Sequence, residues 1–169
     1  PWRDAEPAKL IHELRSGPLA EVGLTPRDAY YGSQTTPALF VLALSELWHW
    51  TGDIDDLRRH RDTAVAALAW AERYGDADGD GFMEYQRRSP QGLRNQGWKD
   101  SDEGVLDERG APLEPPITLV EPQAYALRAK RRLARLFALD GDDARAQALL
   151  REAGELRERL DRFWLPERS

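Results

Sequence analysis

The stretch Thr36-Pro37-Ala38-Leu39-Phe40-Val41-Leu42-Ala43-Leu44-Ser45-Glu46-Leu47-Trp48-His49-Trp50-Thr51-Gly52-Asp53 decides the fold. Pro37 suits the first turn of a helix, where a missing N–H leaves nothing unpaired. Apolar residues then follow almost all round: Leu39, Phe40, Val41, Leu42, Leu44, Leu47 and Trp48. A helix apolar on every side is expected to be buried. Gly52 ends it, and Asp53 is placed to cap a second helix with Asp55 and Asp56 in its first turn, where carboxylates suit the helix dipole. That second helix should run to about Tyr74, with Leu57, Ala64, Val65, Leu68 and Ala71 on one apolar face. The unit is an antiparallel helical hairpin.

The same grammar returns further on. From Leu119 to Leu139, Ala126, Ala129, Leu133, Leu136 and Phe137 recur at helical spacing. Gly141 closes that helix and Asp142 can cap the next. There Leu149, Ala153, Leu156, Leu160 and Phe163 alternate steps of four and three. The turns Thr51-Gly52-Asp53 and Asp140-Gly141-Asp142 make a weak internal repeat. No convincing strand run stands out, so the expected class is all-α, built from antiparallel hairpins. Residues Pro1 to Ser33 read as irregular, with a short helix around Leu10 to Leu14. Gly75 to Pro116 reads as loop, with short helical pieces near Glu84 to Arg87. A loop of that length in a compact domain is often functional.

Composition narrows the function classes. The chain has 169 residues, 41% hydrophobic and 32% charged, too apolar for disorder and too polar for a membrane protein. The longest apolar run, Ala38 to Leu44, is far shorter than the roughly 20 residues that cross a bilayer. A formal net charge of −6 provides no basic footprint for nucleic acid. With no cysteine, disulfide scaffolds and thiolate metal sites are excluded. Six tryptophans are many for this length, and Trp serves both cores and the stacking of flat or sugar ligands. The chain opens on Pro1-Trp2 and closes on Phe163-Trp164-Leu165, aromatics that call for burial, so it reads as a fragment truncated at both ends. The expected location is cytoplasmic.

Four constellations could carry chemistry. Asp76-Ala77-Asp78-Gly79-Asp80-Gly81 begins like a calcium loop, with oxygen ligands at alternate positions and Gly at the sixth. Arg87 stands at position twelve, where a bidentate Glu is needed, so a tight acidic turn competes with a calcium site built on Asp76, Asp78 and Asp80, to which Glu84 could contribute. Gly92-Leu93-Arg94-Asn95-Gln96-Gly97-Trp98-Lys99-Asp100-Ser101 gathers amides, an aromatic, a cation and a carboxylate. A sugar site needs that mixture; a polar loop anchored by Trp98 has it too. Glu121-Pro122-Gln123, at a helix start, could cap that helix or line a cleft. Tyr30-Tyr31 precedes a helix and suits core or ligand wall. His12, His49 and His60 have no metal spacing. Arg128, Lys130, Arg131, Arg132 and Arg135 read as a solvated helix face.

Taken in order, these motifs make a pattern: His12-Glu13-Leu14-Arg15, Tyr30-Tyr31-Gly32-Ser33, Thr51-Gly52-Asp53, Tyr74-Gly75-Asp76 with Asp78-Gly79-Asp80-Gly81-Phe82 and Glu84-Tyr85, Asn95-Gln96-Gly97-Trp98-Lys99-Asp100-Ser101, and Val120-Glu121-Pro122-Gln123-Ala124-Tyr125. Together they resemble the bacterial amylo-α-1,6-glucosidase family, glycogen-debranching glycosidases with a six-hairpin (α/α)₆ toroid. The resemblance covers nearly the whole chain. It implies that residues 1–169 are part of a catalytic domain, carrying two of six hairpins. It also implies inverting hydrolysis of α-glucosidic bonds by two carboxyl groups roughly 6.5–9.5 Å apart. The family's Gly-Trp-Lys-Asp-Ser motif matches Gly97 to Ser101, which makes Asp100 the general acid. Its carboxyl would be kept protonated by burial against groups such as Trp98. Trp98 would stack on the sugar, while Tyr31, Gln96, Lys99, Glu121 and Gln123 would bind hydroxyls or hold the acid. The base belongs to a later hairpin, so the fragment alone should be nearly inactive. The chain departs from the family pattern at Gln34-Thr35-Thr36, where an Asp is common, at Asp102-Glu103 and at Pro122.

The expected ligand is an α-glucan or small glucoside, with no nucleic acid or membrane partner and no cofactor unless calcium binds the acidic turn. Helix faces awaiting other hairpins should make the fragment self-associate. The rival reading is a helical-repeat interaction module without catalysis. Convergence of Asp100, Trp98, Glu121 and Tyr31 on one concavity would favour the enzyme.

Overall fold

A computed structural model describes residues 3–22, 24 and 28–166; the readings made on Pro1, Trp2 and the last three residues lie outside them. In chain order the elements are β1 (Glu13–Arg15), α1 (Pro18–Glu21), β2 (Asp28–Tyr30), α2 (Thr36–Thr51), α3 (Asp55–Trp70), β3 (Glu84–Tyr85), β4 (Ile117–Thr118), α4 (Val120–Leu139) and α5 (Asp143–Asp161). The class is all-α. Two short antiparallel ribbons, β1 with β2 and β3 with β4, decorate the helices. None of the described helices is long and apolar enough to cross a membrane.

Both hairpins form where the side chains direct. Gly52 takes a left-handed φ of 68° and its N–H donates to the Trp48 carbonyl at 2.7 Å, which closes α2. Asp142 caps α5, its carboxylate accepting the Arg145 N–H at 3.1 Å. Asp53 acts one residue earlier than a standard cap: its carboxylate accepts the Asp55 N–H at 2.8 Å, and Ile54 stands at the N-cap. α2 packs on α3 and α4, and α4 packs on α5. The core between them holds Val41, Leu57, Ala64, Leu133, Leu136 and Phe137, all essentially solvent-free. The two hairpin turns are tied to each other. Arg58 Nε donates to Asp140 Oδ1 at 2.8 Å, and Arg61 pairs with both Asp140 and Asp142.

Several expectations are corrected. Leu10 to Leu14 is not helical, because residues 13–15 pair with 28–30 as a ribbon. Glu84-Tyr85 is likewise a strand, paired with Thr118 and Ile117. The second helix does run to the expected end, but its last turn, Ala71–Gly75, is a π turn that continues α3. α2 is not buried all round: Val41, Leu44 and Ser45 are buried where α3 and α4 pack, whereas Leu39, Leu47 and Trp50 are exposed. Lys130 leaves the expected solvated face. It is buried, with its ammonium between Glu72 and Glu152.

Opposite the turns lies the end that positions the candidate site. A second apolar cluster of Trp70, Phe82, Met83, Ala126 and Leu156 joins the end of α3, the long loop, the start of α4 and the end of α5.

Candidate functional site

The scaffold of the loop end is polar and buried. Asp4 is 2% exposed and stands in the left-handed region, φ 53°. Its Oδ1 accepts the N–H groups of Arg88 at 2.6 Å and Ser89 at 2.9 Å. Its Oδ2 accepts the Tyr30 hydroxyl at 3.1 Å and the Gln96 amide at 3.3 Å. Tyr30 in turn accepts the Leu93 N–H at 2.7 Å, and burial raises its phenol above the ordinary tyrosine range. Gly92 is required beside this node, because a Cβ there would collide with the Asp4 carboxylate and the Tyr30 hydroxyl. One carboxylate therefore binds the N-terminal segment to the loop that carries the Gly97–Ser101 motif.

Asn95 closes that motif from beneath. It is 1% exposed; its Oδ1 accepts the Tyr85 hydroxyl at 2.7 Å and its Nδ2 donates to the Ser101 carbonyl at 2.5 Å. Desolvation pushes the Tyr85 phenol up to about 12, partly offset by Arg94. From the other side, Glu121 Oε2 accepts the Trp98 N–H at 3.1 Å. A Cβ on Gly97 would run into the Leu119 side chain and meet Glu121 Oε2 at 3.2 Å, so glycine lets the loop lie against the start of α4. The motif is thus a staple of residues 95–101 held by a buried amide and a helix-borne carboxylate.

The expected site residues divide into two groups. Trp98, Lys99 and Glu121 line one open concavity of about 310 Å³, whose other walls include Val105, Leu106 and Leu119. Asp100, between Lys99 and Ser101, is exposed and is not among the residues lining it. The expected burial of Asp100 against Trp98 is absent. Asn95 and Glu121 satisfy the motif's backbone, and that leaves both side chains turned to solvent, with Trp98 79% exposed. Tyr31 is half-buried and lies outside the concavity. Gln96 is buried on Asp4, and its carbonyl accepts the Gln34 N–H at 3.0 Å. Gln123 is fully engaged: its amide donates to the carbonyls of Met83 at 2.7 Å and Leu119 at 3.1 Å, and its Oε1 accepts the Met83 N–H at 3.0 Å. Gln123 therefore fixes Met83, the residue before β3, to α4. Asp4 does positioning work that no sequence motif marks; Asn95 and Tyr85 stand within the sequence motifs, but those motifs do not reveal their role of holding the loop.

The acidic turn closes on itself. One carboxylate oxygen from each of Asp76, Asp78, Asp80 and Glu84 lies within 4.8 Å of the others. Asp76 accepts the N–H groups of Gly79 at 2.7 Å and Gly81 at 2.9 Å. Asp80 accepts Phe82 N–H at 2.8 Å, and Glu84 accepts those of Ala77 and Asp78. Desolvation raises the Glu84 carboxyl above its ordinary range, with Asp78 and Asp76 adding to the rise against the N–H bonds that lower it. The carboxylates thus serve the turn's own backbone, and the same four residues converge closely enough to hold an ion.

No family model matches the chain, and no curated protein matches it.

Proposed function

We propose that this chain is part of an inverting glycoside hydrolase acting on α-glucosidic bonds of glycogen-like or related α-glucans. Asp100 is the general acid, and the base lies on sequence outside these 169 residues. The observation that carries the reading is the Glu121–Trp98 clamp. It sets an exposed indole and Lys99 on the wall of an open concavity, with Asp100 next in the chain. An aromatic face, a cation and a carboxyl within one short loop match what protonation of a glycosidic oxygen requires. In this reading Trp98 stacks on the sugar, Lys99 and Glu121 meet hydroxyls, and Gln96, Gln123 and Tyr31 hold the surrounding framework. The apolar face that α2 leaves uncovered, with Leu39, Leu47 and Trp50 exposed, supports a larger (α/α)₆ toroid around it. The same face supports self-association of the isolated chain, for which sedimentation should show species heavier than 19.2 kDa.

The test is sugar release from a panel of α-glucosides by the complete hydrolase carrying this chain, wild type against Asp100→Asn. Loss by a factor of about 10²–10⁴ is expected. Unchanged release would move the acid elsewhere. A second reading, a helical-repeat interaction module, is favoured by the position of Asp100 and Tyr31 outside the concavity that Trp98 and Glu121 line, and by the solvent exposure of Trp98 and Asp100. It predicts that Trp98→Ala abolishes capture of a protein partner and that no saccharide binds.

A further inference from the structure

A second cavity, sharing no residue with the Trp98 concavity, lies between the N-terminal segment, the end of α3 and β3. Its volume is about 130 Å³. Lys9 stands on its wall, with a side chain only 6% exposed. Among the described residues, no carboxylate oxygen comes closer to the Lys9 nitrogen than Glu6 Oε2, at 3.9 Å, which is beyond hydrogen-bond reach. That oxygen already accepts the Trp70 indole N–H at 2.7 Å, and the other Glu6 oxygen pairs with Arg88 at 2.8 Å. The Lys9 nitrogen lies over the Trp70 ring, 5.2 Å from its centre. It is not sealed from water: the closed-off, unpaired atoms on this wall are those of Gln34. Lys9 thus presents an unbonded nitrogen to the cavity. The other two lysines differ. Lys130 is clamped between Glu72 and Glu152, and Lys99 is exposed.

Taking a lysine out of water without hydrogen-bond acceptors penalises its charged form. Burial holds the Lys9 amine below the ordinary lysine range; Glu6 and Asp4 oppose that fall, and Arg88 adds to it. A desolvated lysine that sheds its proton is a nucleophile. Condensation with a carbonyl needs no further reactant. The nitrogen lone pair attacks the carbonyl carbon, and one N–H proton moves to the carbonyl oxygen to give a carbinolamine. The second N–H proton follows as the hydroxyl leaves as water and C=N forms. Glu6, the nearest carboxylate, is placed to carry both protons. One amine and one aldehyde give one imine and one water. The cavity limits the aldehyde. Its volume is below the order of 150 Å³ of a cavity that admits benzene, so the solute is smaller than that ring. With the amine neutral, Glu6 and Glu84 outnumber Arg88 on the wall, which disfavours an anion. Tyr74 and Ala77, also on the wall, are exposed and give access from solvent.

We propose that Lys9 is a nucleophilic amine that condenses, within this cavity, with small uncharged aldehydes. The inference stands apart from the proposed hydrolysis, because it uses neither Asp100 nor the Trp98 concavity. The 169-residue chain, its fold verified by circular dichroism, is incubated with glycolaldehyde at about pH 8, where an ordinary lysine is almost fully protonated, and the imine is trapped with cyanoborohydride. Peptide mass mapping reads the gain of a hydroxyethyl group at Lys9, Lys99 and Lys130 separately. Lys9 should be labelled faster than the exposed Lys99 by on the order of tenfold. Ala77→Trp, a substitution at an exposed position that fills the entrance, should slow labelling of Lys9 and leave that of Lys99 unchanged. Glyoxylate, an anionic aldehyde, should lose most of the preference for Lys9 over Lys99. Should the Ala77 variant fail to fold, this comparison on the wild-type chain decides. Labelling of Lys9 no faster than that of Lys99 overturns the inference. So does labelling of Lys9 that folded Ala77→Trp leaves unchanged, or a preference for Lys9 as strong with glyoxylate as with glycolaldehyde.

Discussion

The two ends of the helical hairpins are held by different physics. At the turn end the helices meet over Leu57, Leu136 and Phe137, and polar ties at the edge of that core pair an exposed Arg58 and a partly buried Arg61 with Asp140 and Asp142. At the loop end, Asp4, Asn95 and Gln123 are all buried, and each meets two or more hydrogen-bonding partners. Exposed pairs are weak because water competes for both ions, whereas a buried acceptor that loses its place strands its donors. The difference teaches where this chain is specified by apolar periodicity and where by a few irreplaceable polar groups. The candidate site sits on the second kind of scaffold.

The sharpest way to break the contrast is Asp4→Ala. It leaves the Arg88 and Ser89 N–H groups, the Tyr30 hydroxyl and the Gln96 amide without their acceptor. Urea unfolding should register a loss of about 3 kcal/mol. A loss below about 1 kcal/mol would mean that water replaces the carboxylate and that the node is not structural.

Glu84 gives an intermediate effect that depends on pH. Its carboxyl is raised, chiefly by desolvation, so the folded state holds the proton more tightly than the unfolded chain. The stabilisation from that proton is present below the ordinary carboxyl range and is lost as pH rises through the folded value. Glu84→Gln keeps an acceptor oxygen for the Ala77 and Asp78 N–H groups and cannot ionise. Relative to wild type, the variant should therefore gain stability as pH rises above the ordinary carboxyl range, read from urea midpoints. A difference that stays constant over that rise would contradict the desolvation of Glu84.

The smallest effect belongs to the turn end. Arg58→Ala removes exposed pairs to Asp55 and Asp140 and should leave the unfolding midpoint unchanged within error. A clear drop would show that the ties between the turns matter as much as the buried loop scaffold, and the contrast between the ends would fail.

The legibility of the sequence follows the same division. α2, α4 and α5 and the turns at Gly52 and Gly141 were readable because local spacing decides them. The loop end was readable only as motifs. Gly97 to Ser101 marked a candidate site, yet the partner that holds Trp98 is Glu121, 23 residues on. Asp4 meets Ser89 and Gln96 across separations of 85 and 92 residues, beyond any periodic signal. Lys130 looked like one charge of a solvated face because its partners Glu72 and Glu152 lie on other elements. Asp100 was expected to be buried against Trp98, two residues before it, but Asn95 and Glu121 hold the loop's backbone from within and both side chains stand exposed.

The central claim is that Asp100 protonates the leaving oxygen of a glycoside. The most direct measurement compares Asp100→Asn with wild type, in the proposed hydrolase that would carry this chain, on two substrates: a maltose-type α-glucoside and a dinitrophenyl α-glucoside, whose leaving group needs no proton. The account predicts a loss of about 10²–10⁴ on the sugar leaving group and a far smaller one on the dinitrophenyl group. Equal losses on both, or none on either, would contradict it.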